Sequence, residues 1–173
     1  MRICASLSSI ADLEKADKAD MVEIRLDLLG EVPEVKDKDL LVTYRGEIDL
    51  SILPPGYKGM IDIGEEDRPE TDLGVVASYH DYESTPDAER IISILSAMDS
   101  DISKAAFAVN SFSDLVSIVD AARSFKKRHV ILGMGALGTV TRIRQALLGN
   151  EFSFGYVGEP TAPGQLSVDE MSE

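Results

Sequence analysis

Cysteine is almost absent from these 173 residues: Cys4 stands alone. A single cysteine cannot close an intrachain disulfide, and its place in a β-rich run fits a reducing compartment such as the cytoplasm. Basic residues are scarce as well, 17 against 31 acidic ones, for a formal net charge of -14. Nucleic-acid binders carry a basic stripe, so a nucleic-acid partner is not expected, whereas a solvated acidic surface is. Long apolar runs are missing. The start, MRICASLSS, has none, and no segment approaches the roughly 20 apolar residues of a membrane span, which argues for a cytosolic protein with no membrane partner. Only two histidines occur, His80 and His129, and with one cysteine they make no metal-binding cluster. Repeats, low-complexity tracts and interdomain linkers are also lacking, which leaves residues 1–173 as a single domain.

What is present is a 44% hydrophobic chain in which short β-rich runs recur from end to end. They are Arg2–Ser6, Met21–Leu26, Leu40–Arg45, Gly59–Ile63, Val75–Tyr79, Lys104–Val109, His129–Gly133 and Phe152–Tyr156. Apolar residues at helical spacing predict amphipathic helices at Ile10–Ala16, Asp87–Met98, Ser113–Lys126 and Thr139–Leu148. Eight strands alternating with helices favour an α/β protein, a parallel (β/α)8 TIM barrel, over an open doubly wound sheet. Such barrels usually take about 250 residues, with a lower end near 200. This one must be compact, and the Gly-, Pro- and charge-rich stretches 46–58 and 64–72 mark abbreviated segments after strands 3 and 4.

The polar residues of the strands share a side. Alternation over 21–27 separates Val22, Ile24 and Leu26 from Glu23, Arg25 and Asp27, and over 104–109 it puts Lys104, Ala106 and Ala108 on one face. In a barrel that polar face is the inner one, at the catalytic end; in an antiparallel sheet it would simply be solvated. Lys104 is the one lysine of eight inside an apolar β run. A lysine at a strand edge is ordinarily solvated, but burial near arginines favours the neutral amine that attacks a carbonyl. His80 ends a strand, where a histidine can shuttle protons or merely pack; His129 begins one and reads as structural. Gly133–Thr139 is a glycine-rich strand-to-helix turn that could cradle an anion with Arg142 or be a plain tight turn. Thr161–Gln165 is turn-forming, either a lid or a tail.

In chain order, these segments resemble the type I 3-dehydroquinate dehydratase family. The motifs are Glu23-Ile24-Arg25-Leu26-Asp27, Tyr44-Arg45, Ser78-Tyr79-His80-Asp81, Lys104, Gly133-Met134-Gly135 with Arg142, and Ala162-Pro163-Gly164-Gln165. The resemblance implies a (β/α)8 barrel, a homodimer, no metal and no cofactor. It implies dehydration of 3-dehydroquinate to 3-dehydroshikimate in the shikimate pathway, with Lys104 forming a Schiff base and His80 as general acid and base. Arg142 would hold the substrate carboxylate. Ser6, Glu23, Arg25 and Arg45 would bind the rest, with Thr161 and Gln165 closing over it. The family's glutamate after the third-strand arginine is replaced: Asp49 falls at that spacing and Glu47 lies close, which leaves the partner of His80 open. A class I aldolase, which also uses a barrel lysine, and a non-catalytic anion-binding barrel are the competing readings.

Overall fold

The computed structural model describes residues 2–173. Its strands are β1 (Ile3–Leu7), β2 (Met21–Arg25), β3 (Asp39–Thr43), β4 (Met60–Asp62), β5 (Gly74–Asp81), β6 (Ile102–Ala108), β7 (His129–Met134) and β8 (Ser153–Val157). From β1 to β7 each strand pairs in parallel with its chain neighbours, and β8 pairs in parallel with β1. The result is a nearly closed barrel, as the alternation predicts. Its seam runs between β7 and β8, where the Glu151 N–H donates to the His129 carbonyl at 3.0 Å.

Strand parity sorts the chain into an inside and an outside. Cys4, Met21, Leu41, Val76, Ile102, Val130 and Phe152 fill the interior with apolar side chains. Above them the inward positions turn polar: Ser6, Glu23, Thr43, Asp62, Ser78 and Lys104 are all buried. Outward residues pack under two covers. On β5 to β7 the cover is helical. Helices α2 (Ala88–Ala97) and α3 (Phe112–Ser124) bury Ile91, Leu95, Ile118, Ala121 and Ala122 against Ala105, Phe107 and Ile131. Asp87 caps α2 by accepting the Arg90 N–H, and Ser111 with Asp114 forms a capping box on α3, satisfying amides that helix starts leave open.

On β1 to β4 the cover is thin, and thinner than the sequence suggests. The expected shortening after strands 3 and 4 is there: a single 3₁₀ turn (Leu50–Ile52) follows β3, and no helix follows β4 among the described residues. Yet β2 too is followed only by the four-residue α1 (Leu26–Leu29), closed by Gly30 at φ 73°. The predicted helix at Ile10–Ala16 is a 3₁₀ helix, Ile10–Lys15. Loop side chains such as Val32, Val35, Leu53 and Tyr57 lie over the strands in place of helices.

The helix expected at Thr139–Leu148 is instead two short pieces, α5 (Val140–Ile143) and α6 (Gln145–Leu148), preceded by a third, α4 (Gly135–Gly138). Thr141 explains part of the break. Its hydroxyl donates to the Gly138 carbonyl at 2.7 Å and accepts the Gly133 N–H at 2.9 Å, tying the segment to β7 and competing with a continuous helical ladder. The chain ends in α7 (Val168–Ser172), whose Val168 and Met171 close the outside of β8. Composition gave no sign of this helix.

Candidate functional site

The C-terminal ends of the strands surround a small cavity, partly open to solvent. Ser6 reaches it from β1, Glu23 and Arg25 from β2, Arg45 from beyond β3, His80 from β5, Lys104 from β6, Arg142 from α5, and Thr161 and Gln165 from the segment after β8. Residues far apart in sequence therefore line one space, some from strand positions and the others from the segments that leave the strands at the same end of the barrel. Glu47 and Asp49 do not line it. Both are exposed, and the Asp49 carboxylate accepts the Ser51 N–H at 2.9 Å and the Ser51 hydroxyl at 2.6 Å, capping the 3₁₀ turn after β3. Neither is hydrogen-bonded to His80; proximity in sequence to Arg45 does not survive the turn of the backbone.

Lys104 is 4% exposed, and its Nζ donates to Asp62 Oδ2 at 3.0 Å. Its other side faces the ring of Phe154, 4.2 Å from the centroid. A carboxylate and an aromatic face thus flank the amine on two sides. Asp62 is fully buried, and its Oδ1 accepts the Ser78 hydroxyl at 2.7 Å and the Gly64 N–H at 3.0 Å. Burial pushes its pKa up, but the Lys104 charge and these two hydrogen bonds outweigh that and hold it below the ordinary carboxylate value. Asp62 was legible by the same signal as Lys104, a lone charge within an apolar β run, yet its run is short and sequence reasoning passed over it.

His80 has its pKa pulled down to about 3, first by burial and then by the Lys104 and Arg45 charges, with Asp62 opposing. The imidazole is therefore neutral at physiological pH and able to accept a proton. Tyr82 stacks on it at 6.0 Å between centroids and lines the same cavity. Arg142 is 2% exposed, and burial draws its pKa down to about 10. One long hydrogen bond ties its guanidinium to the Phe154 carbonyl at 3.4 Å, and Nε has no partner among the described residues. A buried guanidinium so poorly matched is prepared for an anion from outside the protein.

The remaining polar groups are held in place. Glu23 accepts hydrogen bonds from the Ser6 hydroxyl and, at 2.8 Å, from the Thr43 hydroxyl. Arg25 makes a two-pronged pair with Asp27 at 2.8 and 2.6 Å. Gln165 Oε1 accepts both the Thr161 N–H and its hydroxyl, at 2.8 and 3.0 Å. The Thr161–Gln165 segment is docked on the barrel mouth, with the Pro163 carbonyl accepting the Gly135 N–H at 3.2 Å and the Gly164 carbonyl accepting the Thr139 hydroxyl at 3.2 Å. The glycine-rich turn thus spends the Gly133 and Gly135 amides inside the protein, where a phosphate cradle would leave them free. His129 stands at the other end of the barrel, each ring nitrogen against a backbone carbonyl, at 2.8 and 2.9 Å.

Comparison with known proteins bears on the family and the fold. A family model described as type I 3-dehydroquinase matches residues 60–173. The chain is 32% identical to a 3-dehydroquinate dehydratase of Archaeoglobus fulgidus, over all of this chain and 97% of the relative. It is 27% identical to one from Methanocaldococcus jannaschii, covering 90% of this chain and 86% of that protein. The crystal structure of a 3-dehydroquinate dehydratase from Geobacillus kaustophilus superposes with a TM-score of 0.81 at 20% identity, covering 98% of this chain and 88% of the other, which shows a shared fold.

Proposed function

The chain belongs to the type I 3-dehydroquinase family, and from that membership we propose that it dehydrates 3-dehydroquinate through a Schiff base on Lys104. As a 3-dehydroquinate dehydratase it is a carbon–oxygen hydro-lyase. The covalent route rests on one observation above all, the buried Lys104 amine at the floor of a cavity that also holds a neutral histidine and an unmatched guanidinium.

The reaction removes a proton alpha to a ketone and expels a beta hydroxyl. Condensation of the ketone with Lys104 gives an iminium, a stronger electron sink than the carbonyl, which acidifies the alpha proton. His80 takes that proton as base and, now protonated, returns one to the departing hydroxyl. Arg142 binds the substrate carboxylate, filling the hydrogen-bonding capacity the protein leaves open. Ser6, Glu23, Arg25 and Arg45 meet the hydroxyl-bearing side, and Thr161 and Gln165 cover the bound molecule. Cations concentrated in the cavity also offset the repulsion that a net charge of -14 presents to an anionic substrate.

The same reading places the reaction in the shikimate pathway, the protein in the cytoplasm and the catalytic unit in a single barrel over residues 1–173, paired as a homodimer. No helix among the described residues is long and apolar enough to cross a membrane. An aldolase acting on a sugar phosphate is disfavoured because the turn that would grip the phosphate has its amides engaged.

Borohydride added together with 3-dehydroquinate should inactivate the enzyme and leave one adduct, on the peptide containing Lys104. An adduct on another lysine, or turnover that survives the treatment, would remove the Schiff base from the mechanism.

A further inference from the structure

We propose that Asp62 is the counterion of the Lys104 nitrogen through the reaction, balancing the ammonium of the free enzyme and then the iminium of the covalent intermediate. The inference rests on the Schiff-base reading above and adds a residue to it.

The geometry is that of a fixed anion. Asp62 ends β4 on the inner face, 0% exposed, between Thr43 on β3 and Val76 on β5. Ser78 and the Gly64 amide both donate to Oδ1, so the carboxylate cannot rotate away without losing two buried hydrogen bonds. Oδ2 is left facing Lys104 Nζ at 3.0 Å. The carboxylate that does line the cavity, Glu23, is occupied by the hydroxyls of Ser6 and Thr43. Opposite Asp62, the Phe154 ring presents its electron-rich face to the same nitrogen. Two groups from different strands thus converge on one atom, and both stabilise positive charge there.

The charge on that nitrogen explains why. Condensation joins the ammonium and the ketone into an iminium and water: the C–N bond forms, the C–O bond breaks, and two of the ammonium's protons leave on the oxygen. Charge is +1 before and after, so an ionised Asp62 is matched at both ends and its own protonation need not change. Loss of the alpha proton then neutralises the nitrogen as an enamine, and expulsion of the hydroxyl restores an iminium beside the same carboxylate. A preorganised ion that costs no rearrangement at each of these points stabilises the charged intermediates more than water would.

Asp62→Asn tests this, since the amide keeps the shape and an oxygen for Ser78 and Gly64 but carries no charge. In folded Asp62→Asn protein the rate of borohydride trapping with 3-dehydroquinate and kcat should fall together by about 10²-fold, the scale of losing one positioned electrostatic group. KM should stay near the wild-type value, because Asp62 lies beneath the lysine and outside the substrate cavity. Wild-type trapping speed and kcat in that variant would overturn the proposal, even if its melting point had dropped. Absence of an adduct in the wild-type enzyme would overturn the counterion and the Schiff-base reading alike. Should Asp62→Asn fail to fold, Ser78→Ala loosens the carboxylate without removing charge. Slower trapping at unchanged KM supports the counterion there, and trapping at full speed rejects it.

Discussion

His80 shows how much a single residue's surroundings can set its behaviour. An exposed histidine titrates near 6.5, but burial and the neighbouring Lys104 and Arg45 charges bring this one down to about 3. Below pH 6.5 the unfolded chain binds a proton at this position that the folded chain does not, so stability falls as pH falls. The loss amounts at most to about 2 kcal/mol between pH 6.5 and 5. Thermal melts of the wild type should therefore drop more steeply from pH 7 to pH 5 than those of His80→Ala, and parallel curves would contradict the burial argument. The same substitution should cut kcat about 10²–10⁴-fold while borohydride still traps an adduct, because histidine moves protons and lysine makes the bond. Near-normal turnover would take His80 out of the mechanism.

Among the elements, the Thr161–Gln165 segment shows how a turn becomes part of a site. Proline and glycine mark it in the sequence as turn-forming, with a lid and a tail equally compatible. Its role depends on a docking that no local pattern encodes, backbone against backbone at Gly135 and Gly164. Gly164 sits at φ 69°, and a Cβ there would collide with the Gly135 carbonyl. Gly164→Ala should thus strain the segment by about 1–2 kcal/mol from the backbone alone and lift it off the mouth. The expected result is a loss of roughly tenfold or more in kcat/KM, since each ~1.4 kcal/mol is tenfold. Gly56→Ala is the control: Gly56 has φ 77°, open space around it, and a place in a loop away from the cavity. Equal activity losses in the two variants would mean that strain in general, and not closure, is responsible.

At the scale of the molecule, the barrel is lopsided. Helices α2 and α3 cover one side and turns cover the other, so shortening is spread over the first four βα units. The helical side carries an apolar surface of its own. Phe112 and Val116 on α3 are 74% and 58% exposed, and Val140, Ile143 and Leu147 on α5 and α6 are exposed as well. The homodimer proposed above is expected to cover these residues. Sedimentation velocity at micromolar concentration should show a dimer that Val116→Glu converts to monomer with the cavity still active. A monomeric wild type would reject the pairing, and an undisturbed dimer in the variant would place it on another face.

The sequence by itself determined the barrel, because side-chain alternation and the recurrence of eight β runs are local properties with one efficient way of closing. It also marked Lys104 and His80, since a charge inside an apolar run and a histidine at a strand end are visible without neighbours. Helix continuity at 139–148 was not legible, because Thr141 turns its hydroxyl to Gly133 and Gly138 only once α5 lies against β7. Nor was the pairing of the lysine with Asp62, although each charge stands out in its own run. Asp62 and Lys104 are separated by 42 positions and become neighbours through β5, which sets their height along the barrel. Asp49, nearer to the expected place in sequence, turns outward to cap its own helical turn. Which charges meet is a matter of strand register and of where each loop leaves the sheet, and these are decided only when all eight strands share one interior.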